Sequence, residues 1–142
     1  LKEISRDNAR TPMQWNDSRN AGFTTGTPWI NVNPNYPKIN AQAAVADPDS
    51  VFHYYQELIR LRHTLPVIVY GKFEGLLEDS ETIYAYRRLL DGQVLTVACN
   101  FTDQEQACGL GEDPAARELI SNYKTHKTGT LQPYEARVIL QK

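Results

Sequence analysis

Apolar residues are spaced in three different ways along this 142-residue chain. Up to about residue 46 they follow neither a helical nor a strand period, and Asn, Thr, Pro and Gly crowd the segment, as in Asn33-Pro34-Asn35-Tyr36-Pro37. The pattern predicts a long irregular loop. Loops longer than about 15 residues in a compact protein are functional or disordered, and the aromatic content of this one argues against disorder. Asp47 then offers a helix N-cap, with Pro48 at the first helical position and Asp49 adding negative charge to the first turn. Val51, Phe52, Tyr55, Leu58, Ile59 and Leu65 form a broad apolar face, Gln56, Glu57, Arg60 and His63 point elsewhere, and Pro66 ends the pattern.

From residue 67 the period changes to short runs of β type: 67–70, 72–77, 82–89, 94–100, 104–108, 118–121 and 135–141. Gly71, Asp91-Gly92, Gly109, Gly111, Pro114 and Gly129 punctuate them, and Asp91-Gly92 is the clearest hairpin signal. The expected fold is therefore mainly β: a C-terminal antiparallel β-sandwich over residues 67–142, preceded by an irregular loop and one helix within residues 1–66. Phe73, Leu76, Ile83, Tyr84, Tyr86, Leu95, Val97, Phe101, Leu119, Ile120, Val138 and Leu140 are its expected core. At roughly 1.5 to 3 kcal/mol each, their burial gives a gross gain of a few tens of kcal/mol, enough for the sandwich to fold alone.

Charge removes some function classes. Lys and Arg total 15 against 17 for Asp and Glu, and no basic cluster follows the spacing of phosphates, so nucleic acid is not an expected partner. No apolar run is long enough to span a bilayer, and no membrane association is expected. Cys99 and Cys108 lack Cys-x-x-Cys spacing and a nearby histidine pair; they read as reduced packing residues, with no metal site. His53, His63 and His126 have no ligand spacing, and no cofactor is implied. Two triplets, Asn16-Asp17-Ser18 and Asn100-Phe101-Thr102, have the form of glycosylation sites.

The chemistry concentrates at the start. Arg6, Asp7, Asn8, Arg10, Gln14 and Trp15 crowd a segment with no apolar repeat. Guanidinium forks and side-chain amides suit a ligand covered with hydroxyls, and an indole suits the apolar face of a pyranose. The same residues also fit a structural loop in which Arg6 and Asp7 pair internally and Trp15 fills a small core.

The run SRDNARTPMQW, followed by NAGF, PWI, NPNY, DPDSVFHYYQELIRLRH and VYGKFE, resembles the oligo-1,6-glucosidases and dextran glucosidases of the α-amylase family, glycoside hydrolase family thirteen. RTPMQW is the specific signature, and the closing LQPYEARVIL a weaker one. The resemblance covers nearly the whole chain. It implies that residues 1–66 are the end of a catalytic (β/α)8 barrel, with the helix that opens at Asp47 and stops at Pro66 as its last helix. It also implies that the nucleophile aspartate, the acid/base glutamate and the transition-state-stabilising aspartate lie upstream.

Retaining hydrolysis needs two carboxyl groups flanking the scissile bond, and a full barrel needs roughly 250 residues. On this reading the chain contributes no catalytic residue, is inactive alone, and has the missing N-terminal barrel and a gluco-oligosaccharide as its partners. The resemblance assigns one substrate-binding residue, Arg10, which in related exo-acting glucosidases grips the 4-hydroxyl of the terminal glucose together with an aspartate from an early barrel loop. Arg6, Asp7 and Asn8 then serve as loop scaffolding, and Trp15 and Trp29 as packed supports. The expected location is cytoplasmic.

A trehalose-6-phosphate hydrolase is the alternative within the same family; it needs a phosphate cluster, and Lys124 and Lys127 lie in the distal β part. A non-catalytic carbohydrate-binding β domain is the other alternative, with Tyr123 and Tyr134 as its best exposed aromatics.

Overall fold

The structure, a computed structural model, describes residues 7–110 and 114–142. Arg6 and Gly111, singled out above, lie outside the described residues. The chain divides into two compact units, one ending at Gln56 and one beginning at Glu57.

In the first unit the stretch expected to be irregular contains two short 3-10 turns, Asp7–Ala9 and Arg19–Gly22, and a helix, α1 (Ala41–Ala46). Asn40 starts α1: its backbone is extended, its side-chain oxygen accepts from Ala43 N at 2.8 Å, and its amide donates to Tyr36 O at 2.9 Å. The alanines of AQAAVA supply helix propensity without an amphipathic stripe, so hydrophobic periodicity does not reveal it. Asp47, expected to open the next helix, instead closes this one in an extended conformation. Pro48 disfavours helical geometry at the residue before it, and the Asp47 carboxylate accepts from Asp49 N at 2.9 Å to turn the chain. Ser50 takes over: its carbonyl accepts from Tyr54 N at 3.1 Å and its hydroxyl donates to Ala44 O at 2.6 Å.

Helix α2 spans Val51–Thr64, and Leu61 is its buried residue. Its predicted apolar face is exposed, with Val51 at 82% and Tyr55 at 63%.

The second unit departs from expectation at once. The run 67–70, read as a strand, is a short helix, α3 (Pro66–Tyr70). Pro66 at its first position fixes a helical φ, and Val67 is fully buried; this local start signal outweighs the strand preference of Val and Ile.

Among the described residues seven strands follow: β1 (Lys72–Leu76), β2 (Ile83–Leu90), β3 (Gln93–Asn100), β4 (Gln106–Ala107), β5 (Arg117–Ser121), β6 (Thr130–Leu131) and β7 (Ala136–Gln141). Five form an antiparallel sheet in the order β1-β2-β3-β7-β5, and β4 pairs with β6 in a two-stranded ribbon. The β2–β3 hairpin turns at Asp91-Gly92, whose φ values of 48° and 79° are the left-handed pair that a two-residue turn requires. Strand β6 was not foreseen, because two residues carry no period.

Register sorts the side chains into two layers. Ile83, Ala85 and Ala98 face one way and pack with Cys108, Leu131 and Leu110 around the β4–β6 ribbon. Leu95, Val97 and Leu140 face the other way and pack with Leu65, Val67 and Ile68 at α3. A bulge between Glu118 and Ile120 lets Leu119 join the second layer.

The first layer is built from small residues that aromatic content alone did not mark. Phe73, Tyr84 and Phe101, expected in the core, are exposed at 51%, 54% and 68%. The five residues of α3 are too few to cover the whole face, and Phe101 lies just beyond the end of β3.

Cys99 belongs to the α3 side of the sheet and Cys108 to the ribbon side, so the two free thiols stand on opposite faces. Glu74, on the outermost strand β1, is flanked by Lys72 and Arg87 at 3.0 and 2.8 Å, which hold its carboxyl below the usual range.

Candidate functional site

The segment carrying the RTPMQW signature is fixed on both sides within the first unit. On one side Asn20, Ala21 and Gly22 follow one another in left-handed geometry, with φ of 56°, 57° and 67°. Trp15 N and Asn16 N both donate to Ala21 O, at 2.9 and 3.2 Å, and the Asn20 amide donates to Thr24 O and Gly26 O. Glycine is required at position 22: a Cβ there would lie 2.7 Å from the side-chain oxygen of Asn16. Ala21, fully buried, occupies a conformation that costs a non-glycine residue about 1 kcal/mol, and such strain persists where the surroundings over-determine it. On the other side Gln14 donates to Asn35 Oδ1 at 2.9 Å, while Ala41 N and Gln42 N donate to Gln14 O and Trp15 O.

At the free end of this clamp Arg10 forms an ion pair with Asp7, and its backbone N–H donates to Asp7 O at 3.0 Å. Both side chains remain open to solvent. Asp7, Thr11, Trp29, Ile30 and Asn31 line a hollow of about 360 Å³. A carboxylate, a hydroxyl, an amide and an indole meet there, a set that can exchange hydrogen bonds with a polyol and present a flat apolar surface to it.

Asp7 and Arg10 are thus brought together, and Asp7, assigned to scaffolding, is the member of the pair that reaches the hollow. Trp29, expected to be packed, is 90% exposed, and Trp15 is 53% exposed.

A second polar cluster lies in the β unit and escaped the sequence reading. Glu135, fully buried, accepts from Gln132 N at 2.8 Å through one oxygen, while the other faces His126 Nδ1 at 2.8 Å and Arg137 Nε at 3.5 Å. The second ring nitrogen of His126 faces Glu118 at 2.9 Å. Both histidine contacts are hydrogen bonds together only when the ring carries two protons, since carboxylates only accept. Burial is also the leading cause that pushes the Tyr86 phenol and the Cys99 thiol above their ordinary values.

Asn100 is the third polar centre. Its amide donates to Gln104 O at 2.7 Å and Gln132 O at 2.9 Å, and its oxygen accepts from the backbone and hydroxyl of Thr102 at 2.9 and 2.8 Å. At 3% exposure it is a loop anchor, and the Asn100-Phe101-Thr102 triplet is closed to glycosylation. Tyr123 is half-buried and donates to Pro133 O at 2.9 Å, so of the two aromatics considered for a sugar platform only Tyr134 stands clear, at 60% exposure.

Residues 1–71 match the family model for the α-amylase catalytic domain, and residues 74–138 match a domain of unknown function, DUF3459. The chain belongs to the α-amylase family. It is 51% identical to the oligo-1,6-glucosidase of Parageobacillus thermoglucosidasius over 94% of its own length and 25% of that protein. It is 42% identical to the trehalose-6-phosphate hydrolase of Escherichia coli, covering all of this chain and 27% of that one. Among solved structures, the trehalose-6-phosphate hydrolase of Bacillus licheniformis superposes with a TM-score of 0.90 at 43% identity, over 100% of this chain and 27% of that one. The chain spans about a quarter of the length of the curated relatives it matches.

Proposed function

We propose that this chain serves as the C-terminal quarter of an α-glucosidase of the oligo-1,6-glucosidase type, acting on α-glucosidic bonds at the non-reducing end of short gluco-oligosaccharides. The observation that carries the reading is the 51% identity to an oligo-1,6-glucosidase over 94% of this chain; the hollow lined by Asp7, to which Arg10 is paired, supports it. Residues 1–66 then complete a catalytic barrel, and residues 67–142 form its β module.

Arg10 supplies a charge-assisted donor fork to a sugar hydroxyl, and Asp7 keeps that fork aimed when no sugar is bound. Both carboxyl groups that cleave the bond come from the upstream part of the barrel. Nucleic acid and membrane play no part in this role. Two free thiols on opposite sheet faces suit a reducing, cytoplasmic setting.

The test replaces the matched quarter of the Parageobacillus enzyme with this chain and assays isomaltose and trehalose-6-phosphate. Hydrolysis of isomaltose, with kcat/KM falling about 10- to 100-fold in Arg10→Ala, is the expected result. Turnover of the phosphosugar alone would establish the second reading, a trehalose-6-phosphate hydrolase, which the 42% identity over the full chain favours.

A further inference from the structure

The His126 ring is held between two carboxylates from different parts of the sheet. Its Nδ1 meets Glu135 Oε1 at 2.8 Å just ahead of β7, and its Nε2 meets the two oxygens of Glu118 on β5 at 3.1 and 2.9 Å. The other charges around the ring are accounted for in turn. Arg137 on β7 reaches Glu135 Oε1 at 3.5 Å and donates to Thr130 O at 3.4 Å. Arg117, beside Glu118 on β5, alternates to the opposite face of the sheet. Lys124 and Lys127 belong to the same 122–130 region as the histidine, and Lys127 is paired with Glu105.

This arrangement depends on a proton. The doubly protonated ring donates to both carboxylates at once; with one proton gone it keeps a single N–H, and its other nitrogen turns a lone pair toward an anion. The two contacts are unequal. Glu135 has no solvent exposure and cannot turn to water, whereas Glu118 is 37% exposed. The Glu135 contact therefore keeps the remaining proton, and the Glu118 contact gives way.

Glu118 sits where the sheet is weakest. Strand β5 ends the five-stranded order, and its pairing with β7 is interrupted by the bulge between Glu118 and Ile120. The His126 contact thus pins an edge strand at its irregular point. Beyond His126 the region is fastened separately, by Cys108 N donating to Gly129 O at 2.7 Å, so that a lost contact at Glu118 opens the segment ahead of that bond.

We propose that His126 is a proton-operated latch. Its imidazolium clamps β5 and the 122–130 region to Glu135, and release of the Nε2 proton to solvent frees the Glu118 side of the clamp, so that β5 and this region open locally. The latch is closed where the ring carries two protons and opens as rising pH removes one, because the closed form is the one that holds the extra proton. The inference is independent of the function proposed above.

The test is hydrogen exchange of the whole chain, read by mass spectrometry at about pH 5.5 and about pH 8, a window in which histidine is the side chain that ordinarily changes charge. After correction for the intrinsic pH dependence of amide exchange, peptides from 117–130 should open about tenfold more at the higher pH, with the β2–β3 hairpin unchanged. Glu118→Gln should remove the difference while keeping the segment closed, since an amide accepts from the charged ring and donates to the neutral one. His126→Gln should be open to the same extent at both pH values. Equal opening of the unaltered chain at the two pH values overturns the latch, and so does a pH dependence that survives in either variant. If His126→Gln fails to fold, Glu118→Gln and an NMR titration of the His126 ring decide: opening must follow loss of the Nε2 proton, and opening at a pH where the ring keeps both protons overturns the proposal.

Discussion

His126 Nδ1 stands 2.8 Å from a carboxylate oxygen of Glu135, a side chain with no solvent exposure. The pair joins the 122–130 region to the residue just ahead of β7, and Glu118 on β5 completes it from the other side of the ring. Removing the histidine leaves the buried carboxylate, among the described residues, with Gln132 N and the more distant Arg137. We expect His126→Ala to lower unfolding stability by about 2–4 kcal/mol, read by urea denaturation, with a smaller loss in Glu118→Gln, whose partner side is more exposed.

Asn100 donates and accepts at once, which fixes its chemistry. Asn100→Asp replaces the donating amide with an oxygen facing the carbonyls of Gln104 and Gln132. The expected cost is about 2–4 kcal/mol in the same assay, larger than for the half-buried Asn16→Asp, and no glycan should attach at Asn100 in a secreting eukaryotic host.

Alkaline pH should destabilise the β unit through Tyr86 and Cys99. Burial raises the pKa of both groups in the folded chain, so the folded state retains protons that the unfolded state releases. Their contribution is complete at neutral pH and is lost as pH climbs past the ordinary values of roughly 8.5 for a thiol and 10 for a phenol. Thermal midpoints measured from pH 7 to 11 should fall above about pH 8.5, and Tyr86→Phe should flatten the upper part of that fall.

Gly22→Ala should disturb the signature segment without touching the sheet. The added methyl meets Asn16 and must adopt a left-handed φ, a combined cost of about 1–3 kcal/mol placed on a local turn. The expected readout is a change in Trp15 fluorescence and faster proteolysis between residues 14 and 24, with unfolding of the β unit unaltered.

Much of the β unit was legible because its signals are local. The Asp91-Gly92 turn specifies a two-residue hairpin by backbone geometry alone, and the alternation along β2 and β3 follows from it. What stayed hidden depends on tertiary contact. Ala85 and Ala98 are core because the β4–β6 ribbon approaches closely, and no propensity scale marks an alanine for that role. The Val67–Tyr70 run illustrates the opposite failure, in which strand-forming side chains yield to a proline start signal.

At the site, the crowding of Arg10 and Asp7 pointed to polar recognition. Which of the two faces the hollow depends on a 3-10 turn that no pattern encodes. The triad of His126, Glu118 and Glu135 was invisible for the same reason, since its members lie eight and nine residues apart and meet only after β5 and β7 pair.

The outer strand β1 alternates Lys72 and Glu74 along a ladder whose outward backbone groups have no neighbour in the five-stranded order. A strand from another molecule that paired there would have to strip water from this charged pair, a desolvation cost with no compensating partner. The sheet therefore carries its own guard against edge-to-edge fibril growth, and neutralising Lys72 and Glu74 together would remove it.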